Sequence, residues 1–256
     1  MTTDVIAAEW AKLRTLRSTY YLLGAALLAL PIGIALAMAI TSSWDGASGV
    51  DRAHSASADS GAVVQPFLLF LVATLGALVI TAEYGTRAIQ ASLVVVPRRG
   101  ALLAGKAVVA GGVALVVGMA VAIGLTVAVR AVVGDRPAPI NPWSSATQAF
   151  ASAFATGLLA MVVALIALGL GAVLRSSAGT LVTMGALVFV LPVVTEFLPA
   201  RWAAGISPLC LPNLPGILAG TTTDTWLSPA GAAAVLVAYP VLALGAGALA
   251  IGRRDA

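Results

Sequence analysis

Six long apolar runs, separated by short polar stretches, set the pattern of this chain: approximately Leu22 to Ile40, Val63 to Ala82, Ala107 to Val129, Ala149 to Leu174, Thr180 to Phe197 and Ala230 to Ile251. None of them contains Lys or Arg. A helix rising about 1.5 Å per residue needs about 20 residues to cross about 30 Å of hydrocarbon, so each run predicts one transmembrane helix. The fourth is long enough to tilt. The expected fold class is an all-α membrane protein with six transmembrane helices in a single domain spanning 1–256.

The segments between the runs carry their own patterns. Before the first span, at 100° per residue, Ile6, Trp10, Leu13, Leu16 and Tyr20 fall within an arc of roughly 120° while Lys12, Arg14 and Thr15 point away. Such a helix, with an aromatic anchor and basic residues for lipid headgroups, suits the membrane interface; Glu9 and Arg17 blur the arc. Between spans two and three, Tyr84 to Val95 predicts a short helix stopped by Pro97, because a proline disfavours helical geometry at the residue before it. It would present Arg87 and Gln90 on one side and Ile89 and Leu93 on another; a plain membrane-surface helix is the alternative. Pro199 to Pro229 holds five of the thirteen prolines together with Leu209, Leu211, Leu214, Ile217 and Leu218. That mixture suits short re-entrant helices packed against protein, or a loop folded over the helix ends.

Composition narrows the class. The chain is 60% hydrophobic and 9% charged, too few polar side chains to cover a globule in water and too many apolar ones for disorder. Fourteen basic residues scattered between apolar runs form no continuous phosphate-binding face, so no nucleic-acid partner is expected. Instead they set topology. Lys12, Arg14, Arg17, Arg87, Arg98, Arg99, Lys106, Arg175, Arg253 and Arg254 lie on the side of the termini, whereas only Arg52, Arg130, Arg136 and Arg201 lie opposite. The positive-inside rule then places both termini in the cytoplasm.

Candidate chemistry is sparse. Cys210 and His54 are the only residues of their kinds, which removes any intramolecular disulfide and most metal or proton-relay schemes. Gly100 to Lys106 fits the G-x-x-x-x-G-K part of a phosphate-binding loop, but Ala107 stands where a magnesium-binding Ser or Thr belongs. No H-E-x-x-H, no G-x-S-x-G and no membrane-embedded aspartate pair suggests an intramembrane enzyme. Glu83 and Glu196 sit at opposite ends of the spans with no relay between them, suggesting capping, snorkelling or pairing with a nearby arginine. Gly112, Gly118, Gly124, Gly245 and Gly247 are candidates for close helix approach.

Two stretches carry a resemblance. Glu9-Trp10-Ala-Lys12-Leu13-Arg14-Thr15-Leu16-Arg17-Ser18-Thr19-Tyr20, and Glu83-Tyr84 followed by Thr86-Arg87-Ala-Ile89, then Val96-Pro97-Arg98-Arg99-Gly100 and Lys106, resemble permease subunits of the bacterial ABC type-2 transporter family. The resemblance implies an ATP-driven transporter, usually an exporter, in the bacterial inner membrane. Two six-span permeases, a homodimer in the simplest case, would associate with two copies of a separate ATP-binding-cassette subunit. ATP and Mg would then bind the partner, with no cofactor and no catalysis in this chain. Ile6 to Ser18, with Trp10, Lys12, Leu13, Arg14 and Arg17, would be the interfacial helix. Glu83, Tyr84, Arg87, Ile89, Gln90, Leu93, Arg98 and Arg99 would dock and couple the ATPase. The apolar spans suggest an amphipathic or lipid-like cargo, with membrane lipids as neighbours. The alternatives are a non-transporting membrane anchor or regulator of an ATPase, and a secondary transporter.

Overall fold

The computed structural model describes residues 2–54, 57–85 and 99–253. The described residues form helices and turns without a strand. α1 (Thr2–Thr15) is followed by the long helices α2 (Arg17–Gly46), α4 (Ser60–Gly85), α5 (Arg99–Val133) and α6 (Ala146–Leu174), with the short α3 (Gly49–Ala53) after α2. The fifth span is composite: α7 (Ser177–Gly185), a π-helical turn (Ala186–Val190) and α8 (Leu191–Glu196). Two short helices, α9 (Ala200–Ile206) and α10 (Leu214–Leu218), flank a pair of 3-10 turns before α11 (Pro229–Arg253) closes the bundle.

Six helical stretches are long and apolar enough to cross a membrane, and each contains or closely overlaps one predicted run. They extend beyond the apolar runs because a helix continues past the hydrocarbon wherever nothing breaks it; α5 gains Arg99 to Lys106 at one end and Arg130 to Val133 at the other. Proline interrupts the ladder in several spans: Pro31 in α2, Pro66 in α4 and Pro240 in α11. In the fifth span Pro192 lies one residue beyond the π turn. A proline supplies no N–H to the carbonyl one turn earlier, and widening of the helix there is one way to accommodate it.

α6 is the centre of the bundle, with 67% of its most apolar window buried, against 22% for α2, the fifth span and α11. Glycine makes that centrality possible. A Cβ on Gly76 of α4 would overlap the Ala164 carbonyl of α6, and one on Gly169 of α6 would overlap the backbone at Ala243 of α11. Of the glycines predicted for packing, Gly118, Gly124 and Gly247 face neighbours that a side chain would crowd, whereas Gly112 and Gly245 face open space. Tyr21, Ile32, Val182 and Phe197 are exposed on the peripheral spans.

α1 differs from its expected course. The helix ends at Thr15, Leu16 adopts an extended conformation (φ −81°, ψ 119°), and α2 begins at Arg17 instead of α1 continuing through Ser18. Its inward face is also rotated from the expected apolar arc: Glu9 and Leu13 are buried while Trp10, Leu16 and Tyr20 are exposed. The cause is a set of buried charges that apolar periodicity does not register.

Pro199 to Pro229 is built as short helices and turns whose apolar side chains, Leu211, Leu214 and Ile217, are buried. The Tyr239 hydroxyl donates to the Leu209 carbonyl (2.9 Å) and Gln65 Nε2 to the Pro212 carbonyl (3.1 Å), tying this segment to α11 and α4.

Candidate functional site

At the end of the bundle nearest the termini, α1, α4 and α5 meet around four charged side chains. Lys106 is 1% exposed. Its ammonium donates to Glu9 Oε2 (2.8 Å), to Glu83 Oε1 (2.7 Å) and to the Val79 carbonyl (3.2 Å). An ammonium has three N–H bonds, and three acceptors surround this one. Lys12 closes the ring from the more exposed side, reaching Glu9 Oε1 (2.7 Å) and Glu83 Oε1 (2.9 Å). Two carboxylates and two ammoniums cancel in formal charge, the condition under which charges can be kept from water at tolerable cost. Burial opposes the Lys12 charge, and the Glu9 and Glu83 carboxylates outweigh it, holding its pKa above the ordinary lysine value.

Local sequence explains why the helices approach so closely. A Cβ on Gly105 would come within 2.7 Å of Val5 Cγ1, so the glycine admits α1 against α5 one residue before the buried lysine. Leu13, Leu75, Val109 and Ala110 form a small apolar cluster beside the charges. The G-x-x-x-x-G-K resemblance thereby receives a different explanation. Gly100 to Lys106 is continuous helix within α5, not a phosphate-cradling loop; Gly105 serves packing and Lys106 serves an ion pair.

The turn between α6 and α7 meets the same end of α4. Arg175, in the left-handed conformation at φ 52° that terminates α6, stacks its guanidinium over the Tyr84 ring at 5.2 Å. Ser177 Oγ donates to Thr81 Oγ1 (2.8 Å), one helical turn before Tyr84. Glu83 and Tyr84 are therefore gripped from α1, α5 and the α6–α7 turn, immediately before residues 86–98.

Of the predicted docking residues, Glu83 and Tyr84 belong to this junction and Arg99 opens α5. Arg87, Ile89, Gln90, Leu93 and Arg98, with the predicted helix beyond Gly85, lie outside the described residues. In α1, Lys12 and Leu13 face the bundle, and Trp10 and Arg14 are exposed. Arg17 starts α2 and is also exposed. Among the described residues, Glu83 pairs with lysines, not with an arginine. Sequence reasoning missed Glu9, Lys106 and Arg175. A signal existed for two of them: an acid and a lysine at the margins of apolar segments on the same side call for partners.

The opposite end holds a second polar region. Arg136 pairs in a bidentate manner with Asp45 (2.9 and 2.8 Å), and Arg52 lies over Trp44 at 4.8 Å. A cavity of about 980 Å³ opens there, with Asp59, Gln65, Ser152, Glu196, Asp224 and Trp226 in its wall. His54 is exposed, and among the described residues no group of three His, Cys, Asp or Glu could hold a metal ion.

No curated protein matches the chain significantly. The family model for ABC-2 family transporter proteins matches residues 5–210, which takes in α1 from Val5 onward, the first five spans and the four-residue ion cluster. With six apolar helices and this match over most of its length, the chain belongs to the ABC-2 family of transporter membrane proteins, as a transmembrane permease.

Proposed function

We propose that this permease is the membrane half of an ATP-driven exporter. Two copies of a separate ATPase subunit dock on its cytoplasmic face, and two permease chains, identical in the simplest assembly, enclose the path. The observation that carries this reading is the convergence on Glu83 and Tyr84. Residues 86–98, proposed to receive the ATPase, are bracketed by two charges, Glu83 before and Lys106 after, that bond to each other at 2.7 Å and to Glu9 and Lys12 of α1. Displacement of the bracketed segment is thereby shared among the interfacial helix, α4 and α5 instead of being absorbed in a loose loop. Rigid-body rocking of such bundles is an established way to convert a local push into access on the other side.

Cargo is proposed to be amphipathic or lipid-like, such as a drug, peptide or lipid, because the spans are apolar and poor in aromatic or polar groups that would grip sugars. Reconstitution with the ATPase subunit that co-purifies from the native membrane tests the whole reading. Arg87→Ala combined with Ile89→Ala is expected to abolish cargo-stimulated ATP hydrolysis while the chain still inserts and folds. Unchanged stimulation in the double variant rejects the coupling role. Purification as a lone chain with ion-driven flux rejects the ATP-driven reading itself.

A further inference from the structure

Beside the ion cluster, on the other face of α1, a slot of about 630 Å³ opens between α1, α2 and α5. Its size falls within the ordinary range for small-molecule sites, about 300–1,000 Å³. The walls are aliphatic: Ile6 and Leu13 from α1, Leu23 from α2, and Val109, Val113 and Val117 from α5. Arg14 is the one charged residue in the lining among the described residues, and the half-exposed rings of Trp10 and Tyr20 line the same slot. The Tyr20 hydroxyl donates to the Arg14 carbonyl (2.9 Å), which pins the α1–α2 bend at this position. No carboxylate among the described residues forms a salt bridge with Arg14, since the acids of α1 and α4 nearest the cluster, Glu9 and Glu83, are bonded to lysines.

We propose that this slot holds one anionic phospholipid, with an acyl chain between α1, α2 and α5 and its phosphate at Arg14. The lining has the two chemistries such a molecule requires. Hydrocarbon surface fills most of it, and one guanidinium with no salt bridge among the described residues, together with two amphipathic rings, supplies what a headgroup needs. Arginine matches phosphate oxygens with a planar fork of donors. Tyr and Trp favour the boundary between headgroups and tails. A second copy of the chain fits less well: a helix about 10–12 Å across would cap a recess between three helices without entering it, and would have to bring a carboxylate to Arg14. A flexible hydrocarbon chain conforms to the recess. The inference is independent of cargo, direction of transport and ATPase coupling.

The test uses the full-length chain, purified in mild detergent, stripped of lipid and titrated with phosphatidylglycerol or phosphatidylcholine bearing identical acyl chains, with binding read by native mass spectrometry. Wild type is expected to retain one phosphatidylglycerol per chain and to prefer it over phosphatidylcholine. Arg14→Ala should lose that preference by roughly fivefold, the effect of one basic group near anionic headgroups, and Arg14→Lys should recover much of it. Gly112→Phe projects a ring into the open space at that glycine and should remove binding of both lipids. Should Gly112→Phe fail to fold, Val116→Phe enters the same slot from an exposed position one helical turn further on. Equal retention of the two lipids by wild type, or retention unaffected by a folded slot-filling variant, overturns the proposal. A slot-filling variant that changes the oligomer mass and leaves lipid retention unchanged assigns the slot to a second copy and overturns it as well.

Discussion

Lys106 and Glu9, 97 positions apart in sequence, meet at 2.8 Å with both side chains almost wholly withdrawn from solvent. The pair makes the seating of α1 depend on the third span, and it gives the first prediction. Without Lys106 the Glu9 and Glu83 carboxylates share Lys12 alone and one negative charge is left over; breaking a buried ion pair in this way costs about 3–5 kcal/mol. Lys106→Met is expected to destabilise the purified permease by that order, read as a fall in its thermal midpoint. Combining Lys106→Met with Glu9→Gln should cost less than the sum of the two single changes, because the second removes a charge that the first has stranded.

Close helix approach predicts an asymmetry among the glycines. Gly76→Val must displace the α6 backbone at Ala164, and overpacking of this kind costs about 1–3 kcal/mol or more. Gly245→Ala projects into open space and is expected to stay within about 0.5 kcal/mol of wild type. Thermal melts of the two variants in the same detergent check the contrast.

Asp59 precedes α4 at the end of the bundle away from the termini. Burial pushes its carboxyl above the ordinary aspartate value, against hydrogen bonds from the Ala62 and Gly61 amides that pull it down. For an acid whose folded pKa is raised, the stabilising contribution belongs to the protonated form. It is present below the unfolded value of 3.8 and is lost as pH rises through the raised folded value. At neutral pH the charge is therefore a net cost. Asp59→Asn keeps an acceptor for the helix amides and should raise the thermal midpoint at neutral pH, with no gain where Asp59 is already protonated.

Cys210, the single thiol, is fully buried in the turn between the two 3-10 segments. Burial pushes its thiol up, opposed by a hydrogen bond involving Thr195. A buried thiol that resists deprotonation is unreactive, so maleimide labelling at neutral pH should be negligible in the folded chain and complete in denaturant. Rapid labelling under native conditions would mean that the Pro199 to Pro229 segment opens locally.

The number and order of the spans were legible because a continuous apolar run is a direct consequence of crossing hydrocarbon, and the run needs no knowledge of its neighbours. The short helices between the fifth and sixth spans were legible for a related reason: proline-broken leucine stretches fit neither a span nor a solvated loop. The face of α1 was not. Helical periodicity ranks side chains by affinity for oil, and on that scale Trp10 points inward and Glu9 outward. The real preference is set by Lys106 and Glu83, which lie far away in sequence and reach Glu9 and Lys12 only once three helices are packed. Lys106 was further concealed by Gly100 and Gly105, whose spacing resembles a nucleotide loop although one of them only makes room for Val5.

The prolines divide the bundle mechanically. α2, α4, the fifth span and α11 each carry a proline beyond the first helical position, whereas α5 and α6 contain none in 35 and 29 residues. Sharp kinks concentrate at proline and at π turns. Those two uninterrupted helices, packed on each other through Gly118 and Gly157, form a stiff spine. α5 alone is about 52 Å long at 1.5 Å per residue, well beyond about 30 Å of hydrocarbon. The compliance of the molecule is thereby assigned to its four proline-bearing spans, and a displacement imposed at Arg99 would travel the length of the spine before any joint yields.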